Sequence, residues 1–377
     1  MELLYIHLRK DWPAFRWDPA AIGPLLAATR HAQGRLLGRM ESLGFQARSE
    51  ADLTLMTAEI VKSSAIEGER LDARQVRSSL ARQLGIEEGG ATPASRAVEG
   101  VGEMMLDATR NFKDPLTVER LFGWHAALFP TGRSGLRKIA VGGWRRPEME
   151  PMQVVSGPLG RERVHFEAPT AARIPEEMDA FLAWFNGSPR EDPVIRTALA
   201  HFWFVTIHPF EDVNGRMARA IADMALARSD GRSERFYSMS AQIEAERNEY
   251  YSILERCQKG GLDITPWLDW FLHCLDRSLA RAEDTLAAVL HKARVWQHLG
   301  TGPINERQRL LVNRLLDGFQ GKLTSSKAGQ LTHCSSDTAL RDIQALVDLG
   351  VLVRNEAGGR STSYRLADPD PKPENSR

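Results

Sequence analysis

Apolar residues recur at three- and four-residue intervals through most of the chain, and that period predicts helices along nearly its whole length. In residues 51–66, ADLTLMTAEIVKSSAI, the residues Leu53, Met56, Ile60 and Ile66 fall near helical spacing, and Glu67-Gly68 supplies a stop. LDARQVRSSLARQL reads as the next helix, and GIEEGGATPAS as an exposed loop. Further helices are predicted from about Ser95 to Arg110 and from Thr117 to Leu128. Between Gly142 and Thr170 the period breaks. Gly and Pro accumulate there, and two β-prone runs, MQVV and RVHF, flank SGPLG, which predicts a β-hairpin inserted into a helical protein. Such an insertion is either a functional flap or a plain connection. Helical spacing resumes at about Ile174 and runs on through DPVIRTALAHFWFVTI and NGRMARAIADMALAR.

From Pro303 to Leu366 the pattern reads as a separate small domain: three helices, then VLVRNEAGGRSTSYRL as two strands around a turn. That order is the order of a winged helix-turn-helix, with SSDTALRDIQALVDLG as recognition helix and VRNEAGGRSTSYR as wing. Arg341, Arg354, Arg360 and Arg365 are then candidate DNA contacts. Asp337, Asp342 and Asp348 on the same helix weigh against tight DNA contact, and a winged helix can equally serve dimerisation or protein docking. The tail, residues 369–377, is too polar and Pro-rich to bury a core and is expected to be disordered.

Composition narrows the picture mainly by exclusion. With 377 residues there is room for two or three domains. Lys+Arg and Asp+Glu both number 49, so any basic surface for nucleic acid must be local. Cys257, Cys274 and Cys334 form no Cys-x-x-Cys pair, which argues against a disulfide framework or a zinc site and for a reducing, cytoplasmic setting. Charge interrupts MELLYIHLRKDWPAF too early for a secretory signal, and ALAHFWFVTI is too short to span a bilayer, so no membrane partner is expected.

The densest chemistry lies in residues 208–216, HPFEDVNGR. Pro209 has no N–H and should end the helix before it, leaving His208 at a helix C-terminus. Asn214 can cap the next helix, whose first N–H groups would face an anion, and Gly215 permits close backbone approach. Arg216 and Arg219 share one face of that helix. Asp212 stands two residues ahead, placed to hold a magnesium ion against phosphate oxygens. Base, metal ligand and phosphate cradle in linear order suit attack of a hydroxyl on a phosphate. The plainer reading is a polar turn between two helices.

The run from His208 to Arg219, HPFEDVNGRMAR, resembles the motif of the Fic family, H-P-F-x-D/E-G-N-G-R-x-x-R. The resemblance implies an all-α Fic fold with a small inserted hairpin flap, and transfer of AMP from ATP to a Tyr, Ser or Thr hydroxyl of a protein, with Mg2+. It implies that His208 is the base and Asp212 the metal ligand, that Asn214, Gly215 and Arg216 hold phosphates, and that Arg219 reaches the γ-phosphate. The flap would align an extended target segment by strand addition. Arg216 favours nucleotidyl transfer over phosphorylation, since a phosphorylating branch of the family has Lys there. One letter departs: Val213 stands where the family has Gly, and a left-handed backbone at that point would strain it. In NEYYSILERCQKGGLDITPWL, Tyr250 and Gln258 align with nucleoside contacts, though Tyr250 and Leu254 also have the spacing of core residues.

SSAIEGE, residues 63–69, is sufficient in itself as a helix end. Beside the Fic motif, Ser63-x-x-x-Glu67-Gly68 also resembles the family's inhibitory motif, in which the glutamate pairs with the second motif arginine, here Arg219, and denies it to the γ-phosphate. The stretch from YIHLRKDWPAFRWD to VKSSAIEGERLDARQVRSSLARQLG looks like the N-terminal domain often joined to bacterial Fic domains. The expected organisation is an N-terminal helical domain over 1–95, a Fic domain over 96–285, a helical linker over 286–302 and a winged helix-turn-helix domain over 303–368. The expected activity is transfer of AMP from ATP to a target protein or to the chain itself. The alternatives are hydrolytic removal of AMP and a DNA-binding regulator that only senses nucleotide. A homodimer is expected from the family alone.

Overall fold

A helix apolar on every side can only sit inside a protein, and α7 (Pro193–Ile207) is such a helix: every residue from Val194 to Ile207 is buried. The computed structural model describes residues 5–41, 43–86, 92–149, 151–158, 160–188, 190–299, 304–316, 319, 321–355 and 362–367. They divide into two compact units, Met1–Glu283 and Asp284–Arg377. In the first, α7 packs chiefly against α8 (Asn214–Asp230), whose buried residues include Ala218, Ala220, Ala222, Ala225 and Ala227. Around the pair stand α1 (Pro19–Glu41), α2 (Phe45–Ile66), α3 (Ala73–Gln83), α4 (Arg96–Arg110), α5 (Val118–Leu128), α6 (Ile174–Asn186), α9 (Met239–Ala245) and α10 (Arg247–Gln258).

Side-chain caps explain where many of these helices start. Asp72, Ser95, Thr117, Asp192 and Ser238 each accept a hydrogen bond from a first-turn N–H of α3, α4, α5, α7 and α9. The α2 face is the expected one, with Leu53, Met56, Ile60 and Ile66 fully buried. Its helix begins earlier than expected, at Phe45. α11 runs unbroken from Thr265 to Leu299, straight through residue 285, because no Gly or Pro follows Pro266 to stop it.

Two hairpins interrupt the helices. β1 (Arg133–Ser134) pairs with β2 (Arg137–Lys138) around Gly135, which takes φ +56°; strands this short leave no readable period. β3 (Gln153–Ser156) pairs with β4 (Arg163–Glu167), one residue off the runs MQVV and RVHF. Their register slips between Val154, opposite Phe166, and Val155, opposite Val164, so His165 is the extra residue of a bulge.

The second unit runs α12 (Glu306–Leu316), α13 (Ser325–Leu331), α14 (Ser336–Asp348), β5 (Leu352–Arg354) and β6 (Tyr364–Leu366), with β5 and β6 antiparallel. Leu311, Val312, Ile343, Leu346 and Leu352 form its core. Arg341, Arg354 and Arg365 are exposed, while Arg360 and the tail 369–377 lie outside the described residues. Asp342 turns inward and accepts from Asn305 and Arg307, so of the three acidic residues on α14 only Asp337 and Asp348 stay exposed.

Candidate active site

α7 ends at His208, which adopts left-handed backbone, φ 54° and ψ 56°. That conformation costs a non-glycine residue about 1–2 kcal/mol, so something must hold it. Arg145 does: its Nε donates to the His208 carbonyl at 3.0 Å, its backbone N–H to the Pro209 carbonyl at 2.9 Å, and its Nη2 to the Pro169 carbonyl just beyond β4. Nδ1 of His208 lies 3.3 Å from the Val205 carbonyl, which can only accept, so the proton sits on Nδ1 and the Nε2 lone pair is left to act as a base. Burial, opposed by the Val205 hydrogen bond and reinforced by the Arg145 charge, pushes the His208 pKa down to about 4. The ring is neutral at pH 7.

Residues 209–213 form a tight loop closed from within. Asn214 does not cap α8 as expected. Val213 occupies the N-cap position, and Asn214 lies in the first turn, its Oδ1 accepting from Phe210 N–H and its Nδ2 donating to Phe210 C=O, both at 2.9 Å. This bracket fixes the loop and leaves the first N–H groups of α8 without a side-chain cap, free to face an anion. Val213 itself takes φ 62°, the strained region for a β-branched side chain, and is buried. Its N–H donates to Asp212 Oδ1 at 2.6 Å.

Both motif arginines are met by carboxylates from the junction of α2 and α3. Arg219 is buried; its Nε donates to Ser63 Oγ, and its Nη2 to Ser63 C=O and Glu67 Oε1, all at 2.9 Å. Arg216 Nη1 donates to Glu69 Oε2 at 2.5 Å, a contact the sequence reading missed. The backbone is shaped for this approach. Gly68, φ +85°, turns the chain after Glu67, and Arg247 and Tyr251 of α10 donate to the Ile66 carbonyl. A Cβ at Gly215 would lie 2.1 Å from Glu67 Oε1, so only glycine lets the carboxylate lie against the start of α8. Arg216 Nε and Arg219 Nη1 are buried donors without a hydrogen-bond partner, the kind of group a bound phosphate satisfies.

Asp212 is half-buried, its second oxygen accepting from Ser134 Oγ on β1, a partner 78 residues away. Its neighbour Glu211 points elsewhere, into an ion pair with Arg146 at 2.8 Å. Among the described residues no cluster of three or more His, Cys, Asp or Glu is arranged to hold a metal ion. One carboxylate beside a phosphate cradle nevertheless fits magnesium, which typically takes one or two carboxylates and completes its shell with substrate phosphates and water. His125, unnoticed in the sequence, lies buried beneath the loop, stacked on Phe210 with ring centroids 4.5 Å apart. Tyr250 and Gln258 lie in the interior: Tyr250 OH pairs with His201 Nε2 at 2.9 Å, and Gln258 donates to Thr206 Oγ1 at 3.2 Å. They back the site, and the core reading of Tyr250 accounts for its contacts with His201, Trp267 and Trp270.

Residues 115–226 match the Fic/DOC family, and residues 5–86 match a domain of unknown function, DUF4172. The chain is 26% identical over 249 residues to Protein adenylyltransferase Fic of Aedes aegypti, covering 61% of this chain and 44% of that protein. It is 30% identical over 113 residues to Protein adenylyltransferase Fic of Nematostella vectensis, covering 29% and 25%. The chain thus spans less than half the length of these curated relatives. Among solved structures, a Fic family protein from Desulfovibrio desulfuricans G20 superposes with TM-score 0.54 at 21% identity, over 96% of this chain and 99% of that one. At that identity the likeness speaks for the fold.

Proposed function

We propose that this chain, a member of the Fic family through its residues 115–226, transfers AMP from ATP to a protein hydroxyl and is held back by Glu67. The observation that carries the reading is the juxtaposition of a neutral His208, its base nitrogen unencumbered, with a left-handed anion turn and two arginines that keep unfilled buried donors. ATP would lie with its phosphates on the start of α8, against Gly215 and Arg216, and with its γ-phosphate on Arg219. His208 Nε2 accepts the proton of the attacking hydroxyl. The new bond forms at the α-phosphorus, and the bond from that phosphorus to the β-phosphate bridge breaks, releasing pyrophosphate. Asp212 would hold Mg2+, which when bound draws charge from the phosphate oxygens. Ser134 and the Val213 N–H orient that carboxylate.

In the state described, Glu67 occupies Arg219, so a γ-phosphate and the Glu67 carboxylate compete for one guanidinium. A charge-assisted hydrogen bond contributes ~1.5–3 kcal/mol, so freeing Arg219 should raise transfer roughly 10–100-fold. Label transfer from ATP carrying its isotope on the α-phosphorus, compared between wild type and Glu67→Gly, tests this. Equal labelling in the two would sink the brake. The strained Val213 is the one feature that favours a nucleotide-sensing regulator instead, because it burdens the cradle without touching any charged group. We read the second unit as a winged helix whose exposed Arg341, Arg354 and Arg365 meet DNA phosphates.

A further inference from the structure

Two carboxylates face each other between α2 and α8, one helical turn below the Glu67–Arg219 pair. Ser63 and Glu67 of α2 lie on Arg219 of α8, and Glu59 of α2 hydrogen-bonds with Asp223 of α8. Glu59 is four residues before Ser63 and Asp223 four after Arg219, so the two contacts are rungs about 6 Å apart on helices of opposite direction. The upper rung joins a carboxylate to a guanidinium. The lower joins acid to acid, and both acids are buried.

Each acid has one oxygen accounted for. Glu59 Oε2 accepts from Ser238 Oγ at 2.7 Å and from Ser240 N–H at 3.0 Å, at the start of α9. Asp223 Oδ1 accepts from Arg235 Nη2 at 2.9 Å. The remaining oxygens, Glu59 Oε1 and Asp223 Oδ2, are buried and meet no donor among the described residues. Two bare carboxylates in contact out of water need something positive between them. A metal ion is a poor fit, because Arg219 lines the same small cavity and Arg235 already holds Asp223. A proton fits: on either acid it makes an O–H···O hydrogen bond and satisfies both oxygens. Burial and the charge of Glu59, opposed by Arg235, raise the Asp223 pKa well above the ordinary carboxylate value. Arg235 cannot neutralise the pair alone, since its Nη1 is engaged by Asp230 at 3.3 Å. The other groups facing the acids carry no charge to spare. His201 of α7 is kept neutral by burial, which pushes its pKa down to about 3, and burial likewise keeps the Cys274 thiol of α11 protonated. Ser240 Oγ, on the cavity wall, donates to neither acid.

We propose that a proton held between Glu59 and Asp223 fastens α2 to α8, so that the Glu67 brake closes in the protonated protein and slackens as pH rises. This control rests on the reading of Glu67 as a brake and names what sets its strength. With the proton gone, two buried negative charges repel across the lower rung, and α2 carries Ser63 and Glu67 away from Arg219. With α2 withdrawn, both acids meet water and titrate near the ordinary carboxylate value of about 4. Closure therefore takes up one proton in the range between that value and the raised value of the closed state. It is strongest below the lower value and weakens by up to roughly tenfold per pH unit until the closed pair itself ionises. Glu59→Gln makes the bond permanent: its amide N–H donates to Asp223 Oδ2 while its oxygen keeps Ser238 and Ser240.

The test is the brake factor, the α-phosphorus labelling rate of Glu67→Gly divided by that of the wild-type full chain, with ATP and Mg2+ between about pH 5.5 and 9. His208 stays neutral throughout this range. The wild-type factor should fall roughly tenfold as pH rises, and that of Glu59→Gln, measured against Glu59→Gln/Glu67→Gly, should stay within about twofold. Asp223→Asn, whose amide supplies the same hydrogen bond to Glu59, should behave likewise and stands in if the first variant does not fold. Urea unfolding adds a readout that needs no activity: wild type should lose stability relative to Glu59→Gln as pH rises. A wild-type factor that does not change with pH, a Glu59→Gln factor that falls as steeply, or parallel stability curves would overturn the proton lock and leave transfer and brake standing. If Glu67→Gly labels nothing at any pH, the transfer reading fails, and the stability curves alone decide whether a proton joins the two helices.

Discussion

His208 and Val213 both hold left-handed backbone without being glycine, and each is tied down by specific partners. For His208 the tie is Arg145, which also adds positive charge beside the ring and so favours its neutral form. In the Glu67→Gly background the acidic limb of the pH–rate profile should therefore fall near pH 4, well below the 6.5 of an unburdened histidine. Arg145→Gln should move that limb to higher pH, because the charge that opposed protonation is gone. It should also lower kcat on the order of 10–100-fold with little change in KM for ATP, since a misplaced base harms the reacting geometry more than nucleotide binding. An unmoved limb would mean that Arg145 acts on backbone shape only. For Val213 two magnitudes compete: relief of ~1–3 kcal/mol of strain on Val213→Gly against ~1.5–3 kcal/mol of lost burial. Urea unfolding should show a net change within about 1 kcal/mol. A loss above ~3 kcal/mol would show that the strain is small.

At the scale of elements, the end of α2 presents two carboxylates to the start of α8, Glu67 on Arg219 and Glu69 on Arg216. Glu69 is more exposed than Glu67, with 40% of its side chain open against 33%, and its partner is the less buried arginine. Glu69→Ala should thus raise transfer less than Glu67→Gly does, only a few-fold, given the ~0–1 kcal/mol of a partly exposed pair. The double variant should exceed both in the same label-transfer assay. A Glu69→Ala protein as active as Glu67→Gly would make Glu69 the main brake. These elements also mark how far the sequence could be read. The α2 face, the helix stop at Gly68, the β3–β4 insertion and the spacing of Ser63 to Glu67 are local, carried by period and cap chemistry within a few residues. Arg145 on His208, Ser134 on Asp212 and Glu69 on Arg216 join positions 63, 78 and 147 residues apart, and no local pattern encodes such a pairing. Asn214 was misread because its side chain can bracket a loop as well as cap a helix, and the sequence does not say which.

For the whole molecule, equal numbers of acidic and basic residues leave no net charge, so a basic surface for DNA has to be local, and the exposed arginines of the second unit are the ones we propose for it. Retardation of a random duplex should weaken steeply with added salt, and Arg354→Ala/Arg365→Ala should bind less tightly with a shallower salt slope. Absence of retardation at low salt would assign the unit to protein docking. Among the described residues no helix is long and apolar enough to cross a membrane. The central claim, a nucleotide transferase restrained by its own glutamate, is met most directly by α-phosphorus label transfer with Mg2+ onto the chain and onto lysate proteins, for wild type, Glu67→Gly and Glu67→Gly/His208→Ala side by side. The account predicts weak labelling in wild type, strong labelling in Glu67→Gly and none in the double variant. Absence of labelling in all three, or labelling that survives the loss of His208, would contradict it.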